Sequence, residues 1–161
     1  MPGYVWPVAL ANKITSAFGS RTAPTSGAST NHKGVDISAR IGTSVAAAFD
    51  GTISKIGYNA LRGNYVVLDD GSGTQALYQH LSQALGAVGD KVAAGQIIAK
   101  TGDSGTTTGP HLHFEILKNG TSVDPQTFEY NSPGDSDALE AIINKHWWMI
   151  AGALLLIGIL K

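Results

Sequence analysis

His111-Leu112-His113-Phe114-Glu115-Ile116-Leu117 alternates polar and apolar side chains without a break from His111 to Ile116. In a strand, side chains repeat every two residues. His111, His113 and Glu115 therefore share one face, and Leu112, Phe114 and Ile116 share the other. The apolar face belongs against a core. The polar face carries two imidazoles aimed the same way beside an expected turn at Gly109-Pro110, which marks it as a candidate site.

Working outward, the segment Val45 to Lys118 reads as strands separated by turns. Val45–Phe49 and Thr52–Ile56 flank Asp50-Gly51, so a hairpin is expected there. Tyr65–Leu68 is apolar and β-branched and ends at Asp69-Asp70-Gly71. Gln75–Gln79 leads into His80. Val88-Gly89-Asp90-Lys91-Val92 and Ala94-Gly95-Gln96 punctuate the approach to the short apolar run Ile97–Lys100. The expected fold class is all-β, with antiparallel sheets. The 20 glycines show no three-residue period and fall between apolar runs, which excludes collagen and fits tight turns.

The 161 residues suit one domain with an appendage. A net charge of -1 without a Lys/Arg cluster gives no electrostatic support for a nucleic-acid partner. Cysteine is absent, which removes disulfides, thiolate metal sites and a cysteine nucleophile. Any transition metal must be held by His and carboxylate. Residues 1–130 are expected to form the folded β-domain and 131–136 a linker. Residues 137–161 are expected to form a hydrophobic helix. Its run WWMIAGALLLIGIL, Trp147–Leu160, lacks a polar stripe. At about 1.5 Å per residue this run reaches about 21 Å, short of a usual span. The paired Trp147-Trp148 and the flanking Lys145 and Lys161 suit a membrane interface. A membrane anchor is expected, with a docked or oligomer-forming helix as the other reading. Met1–Pro7 has no basic region followed by an apolar run, so it is not read as a signal peptide.

Two further segments bear on the chemistry. His32-Lys33-Gly34-Val35-Asp36 places an imidazole and a carboxylate, both good zinc ligands, around a glycine. Alone, such a pair is commonly a surface His near a structural Asp. Tyr78-Gln79-His80-Leu81 supplies a third histidine region, ordinary by itself. His146, the fifth histidine, abuts the apolar tail.

Together, H-x-G-x-D, Tyr-x-His-Leu and G-P-H-L-H-F-E resemble the LytM/lysostaphin-like zinc metallopeptidases, the M23 peptidase family. Ile14–Arg21, Val88–Val92, Gly95-Gln96-Ile97 and Thr101–Gly105 are similar to that family too, and the likeness runs from Trp6 to Thr127. Ala99 departs from it, in a run where many relatives carry glycine. The resemblance implies an antiparallel β-sheet core with a groove active site and one Zn2+ held by His32, Asp36 and His113. It implies catalytic roles for His80 and His111. The function it implies is zinc-dependent endopeptidase hydrolysis of bacterial peptidoglycan, in the stem peptide or the cross-bridge. The alternative is a non-cleaving peptidoglycan-binding or membrane-anchored structural protein on the same fold. Glu115 is expected either to orient an imidazole or to be solvated. Ser104 and Thr106–Thr108 are expected as a groove wall or as an ordinary polar loop. With a tail and no leader, a phage particle with an internal membrane is one vehicle to the wall, and a tail-anchored bacterial protein is another. Oligomeric state is left open.

Overall fold

The computed structural model describes residues 3–9, 12–23 and 29–131. The expected helix at 137–161 and most of the linker lie outside them. Among the described residues no helix is long and apolar enough to cross a membrane.

The fold is all-β. Its strands are β1 (Tyr4–Val5), β2 (Ile14–Ser16), β3 (Gly19–Ser20), β4 (Asn31–His32), β5 (Val35–Ser38), β6 (Ser44–Ala46) and β7 (Gly51–Asn59). They continue with β8 (Gly63–Asp69), β9 (Thr74–Ala84), β10 (Lys91–Val92), β11 (Ile97–Thr101), β12 (His111–Lys118), β13 (Thr121–Val123) and β14 (Tyr130–Asn131). One antiparallel sheet runs β10-β7-β8-β9-β12-β5-β2, with β11 bridging β9 and β6. β1 and β14 pair in parallel, which joins residues near the two ends of the described chain.

Strand β12 lies between β9 and β5, and its alternation sets both faces of the sheet. Leu112, Phe114 and Ile116 are fully buried, with Tyr78 and Ala76 from β9 and Val35 and Ile37 from β5. Val45, Ile98 and Ala99 from β6 and β11 complete the same core. Trp6 stands edge-on to Phe114 with ring centroids 6.0 Å apart. Truncating Phe114 to Ala would cost about 3–5 kcal/mol through lost burial and the cavity left behind.

The hairpin expected at Asp50-Gly51 does not form. A type I′ turn needs positive φ at both central residues, and neither has it. β6 pairs instead with β11, and Asp50 accepts the Ala94 N–H through Oδ1 at 2.9 Å. The segment is a crossover within the one sheet, from β6 to β7. The turn at Asp69-Asp70-Gly71 does close a hairpin, β8–β9, where Asp70 Oδ1 accepts the N–H groups of Ser72 and Thr74. Asn119-Gly120, with φ of 49° and 76°, closes β12–β13 as a two-residue turn.

Candidate functional site

Three residues converge, two of them because the strands under them are in register and the third from the neighbouring β3–β4 pair. His113 on β12 stands directly opposite Asp36 on β5. Val35 and Ile37 point into the core, so Asp36 points out beside His113. His32, at the end of β4, reaches the same spot after the tight passage through Gly34. A Cβ on Gly34 would lie 2.3 Å from the Phe114 carbonyl oxygen and 2.8 Å from Glu115 Cγ, so only glycine allows this approach.

The converging atoms are His32 Nε2, Asp36 Oδ1 and His113 Nδ1. His113 Nδ1 lies 2.7 Å from Asp36 Oδ1, His32 Nε2 lies 3.1 Å from Asp36 Oδ1, and the two nitrogens are 3.0 Å apart. A tetrahedral ion with ligands at about 2.0–2.1 Å needs edges of about 3.3 Å. The edges need to open by about 0.2–0.6 Å, so the three residues fit a metal ion in donor type and, after that small adjustment, in geometry.

Each converging residue is held from behind. His32 Nδ1–H donates to the Ala17 carbonyl at 2.7 Å. His113 Nε2–H donates to Glu115 Oε1 at 2.9 Å, and the same oxygen accepts Gln79 Nε2–H at 2.7 Å. Arg21 Nη1 donates to Asp36 Oδ2 at 2.9 Å and to Ser16 Oγ at 2.6 Å. These partners fix tautomers and leave the converging atoms pointing at one another. Burial disfavours the Asp36 charge, but hydrogen bonds from His113 and His32 outweigh it and hold the carboxyl well below its usual range. Burial likewise opposes protonation of His113. Its hydrogen bonds to Asp36 and Glu115 prevail and raise its pKa.

His80 and His111 lie beside this cluster, with ring centroids 4.7 Å apart. His111 Nε2 is 3.7 Å from Asp36 Oδ1, and its Nδ1–H donates to the Gly109 carbonyl at 2.8 Å. His80 reaches the site through a bulge. Tyr78 is buried in the core, so strict alternation would bury His80 in the core and expose Leu81. Instead the β8–β9 register shifts, leaving Tyr65 opposite both Gln79 and His80, and His80 takes φ = 60°. Leu81 returns to the core with no exposure, and the imidazole turns out to the cleft. Its Nδ1–H donates to the Ser104 carbonyl at 2.8 Å. Burial, above all, lowers the His80 pKa to about 4.

The five residues singled out in the sequence thus line one cleft of about 380 Å³. Thr106, Thr107 and Thr108 form part of its wall. Ser104 serves differently, since its hydroxyl donates to Leu81 O and accepts the Asn64 N–H. Glu115 is buried and hydrogen-bonded, not solvated. Sequence reasoning missed Arg21 and Gln79. Strand parity with His113 would have flagged Gln79, whereas no local signal links Arg21 to Asp36.

The chain is similar to known proteins in sequence and fold. A peptidoglycan DD-endopeptidase of Vibrio cholerae, ShyC, is 39% identical over 118 residues, covering 73% of this chain and 27% of that protein. A zinc-containing peptidase from Vibrio cholerae superposes with a TM-score of 0.74 at 34% identity, over 81% of this chain and 41% of that one. The catalytic domain of the antimicrobial peptidase lysostaphin from Staphylococcus simulans superposes with a TM-score of 0.65 at 36% identity, over 72% of this chain and 90% of that domain. The chain spans less than a third of the length of the first curated relatives it matches. The profile of peptidase family M23 matches residues 30–125, a stretch that holds His32, Asp36, His80, His111 and His113, and the chain therefore belongs to peptidase family M23.

Proposed function

We propose that this chain is a zinc metalloendopeptidase that hydrolyses peptide bonds of bacterial peptidoglycan, with one Zn2+ held by His32, Asp36 and His113. The observation that carries this reading is the convergence of two imidazole nitrogens and one carboxylate oxygen beside two further imidazoles in an open cleft. Two nitrogens and one oxygen suit zinc, and three protein ligands are the usual number for a catalytic zinc site. When bound, the ion supplies Lewis acidity toward the scissile carbonyl and toward water.

The chain's own residues do the rest. His80 and His111 each spend Nδ1–H on a main-chain carbonyl, so each keeps Nε2 for substrate. His80 is neutral near pH 7, and its Nε2 can accept a proton there. The pair takes a proton from the attacking water and delivers one to the leaving amine nitrogen. Glu115, fixed by Gln79, keeps His113 Nε2 protonated and Nδ1 free for the metal. Arg21 holds Asp36 Oδ2 so that Oδ1 faces the ion.

Digestion of purified sacculi tests the reading. Soluble peptides should appear, cease with a chelator and return on adding Zn2+. Release that ignores the chelator would remove the zinc mechanism. Binding without release would favour the non-cleaving alternative.

The same reading extends to location. Fourteen unbroken apolar residues, Trp147–Leu160, favour attachment to a bilayer, in a bacterium or in a phage particle with an internal membrane. The full chain should float with liposomes, and a chain ending at residue 131 should not. Equal flotation of both would remove this part.

A further inference from the structure

The face that carries the histidines continues past them. Gln79 pairs with His113, and the bulge sets Tyr65 of β8 beside Gln79 and His80. Tyr65, a buried ring, thus lies on the same sheet face as the histidines two strands from β12, about 10 Å away at ~4.8 Å per strand. Its ring leans across β7 over Gly57, where a Cβ would come within 2.7 Å of the phenol oxygen.

Two cations flank that ring. Lys55 Nζ is 5.8 Å and Arg62 Cζ is 5.6 Å from its centroid. Arg62 sits in the β7–β8 turn, where Asn59 Oδ1 accepts its N–H, and it lines the cleft. Its carbonyl accepts the His80 N–H at 2.8 Å, so it is tied to the histidine wall. Neither cation makes an ion pair with a described residue, and the carboxylates lining the cleft are already engaged. Asp36 is bound by Arg21, and Glu115 by His113 and Gln79. Two like charges against one ring, with no acid between them, favour an incoming anion.

We propose that Lys55, Arg62 and the Tyr65 ring form a carboxylate-binding subsite, so that the preferred substrate is a peptide bearing a free carboxylate about three residues from the scissile bond. The spacing follows from the two-strand separation of about 10 Å, spanned at ~3.4 Å per extended residue. A guanidinium backed by a ring offers a carboxylate two parallel N–H donors, which an uncharged oligoglycine bridge cannot use. The inference rests on the endopeptidase reading for the position of the scissile bond.

Two cross-linked peptides, identical except for a carboxylate or a carboxamide at that position, test it, with an oligoglycine peptide as a third substrate. The wild type should show KM roughly tenfold lower for the carboxylate peptide. Arg62→Gln and Lys55→Gln should each shrink that ratio, and the double variant should bring it near one. Equal KM for both peptides in the wild type, or variants that weaken both peptides alike, would overturn the subsite. If no peptide is cut, the endopeptidase reading falls. Peptide affinity measured by fluorescence anisotropy then still decides the subsite, by the same carboxylate-to-amide ratio.

Discussion

The two walls of the cleft hold their histidines by different means. On one side, Asp36 and His113 project from the β5–β12 pair, where the register is regular, and His32 joins them from the β3–β4 pair. Their rear contacts include charged groups, Glu115 behind His113 and Arg21 behind Asp36. On the other side, His80 and His111 sit where regularity breaks, at a bulge and at a strand start after Gly109-Pro110. Both lean on neutral main-chain carbonyls. A carboxylate behind an imidazole orients it and strengthens its basicity, which suits a metal ligand. A carbonyl orients the ring without charging it. The pKa directions follow the same division, with His113 raised and His80 lowered to about 4. On the proposed function, one wall holds the cation and the other holds the two rings that serve the attacking water and the leaving amine.

Substitution should break the two walls in different ways. His113→Ala should abolish bound metal and lower hydrolysis about a thousandfold or more, since Lewis acidity contributes several kcal/mol. Metal content and rate are measured on the same preparation, and full occupancy in the variant would end the ligand assignment. His111→Ala should lower the rate about 10²–10⁴-fold, the usual contribution of a proton-transfer group, with metal content largely kept. Loss of metal in that variant would erase the distinction between the walls.

This division also explains what the sequence could reveal. The parity of His111 to Ile116 is a local pattern, so it shows the polar face of β12, and the apolar face with it. Asp36 joins that face through pairing of β5 with β12, and His32 from the β3–β4 pair across Gly34; the likeness to a known family implied that the three meet, and no spacing rule supplies it. His80 defeats parity altogether, because its bulge depends on how β8 and β11 meet β9. The same limit misleads at Asp50-Gly51, where a strong turn dipeptide serves a crossover because β6 finds its partner in β11. Lys55, Arg62 and Tyr65 are unremarkable in sequence and become a cluster only once β7 and β8 pair.

A smaller effect sharpens the metal wall. Glu115→Ala should weaken metal affinity about 10–100-fold by freeing His113 to turn, as removal of such outer partners commonly does. Glu115→Gln keeps an acceptor for His113 Nε2–H and should recover part of the loss. Competition titration of the metal-free protein with a chromophoric chelator reads this without reference to activity. Equal affinities for wild type and the Ala variant would reduce Glu115 to packing.

The smallest effect lies on the opposite wall and concerns stability. His80 holds a left-handed backbone, φ = 60°, that Asn tolerates better than most side chains. Its folded pKa, about 4, is below the unfolded value of about 6.5. Between these values the unfolded chain takes up a proton that the folded chain refuses, so the wild type loses stability as pH falls from about 6.5 to about 4. His80→Asn keeps the backbone and removes the imidazole. In the metal-free protein it should therefore flatten that acid loss, by about 1–2 kcal/mol at pH 5. Denaturant unfolding at pH 7 and pH 5 checks the difference, which should be near zero at pH 7 apart from the backbone term. An unchanged acid slope would mean that the His80 ring is not held neutral by burial, and the contrast between the two walls would then rest on their hydrogen-bond partners alone.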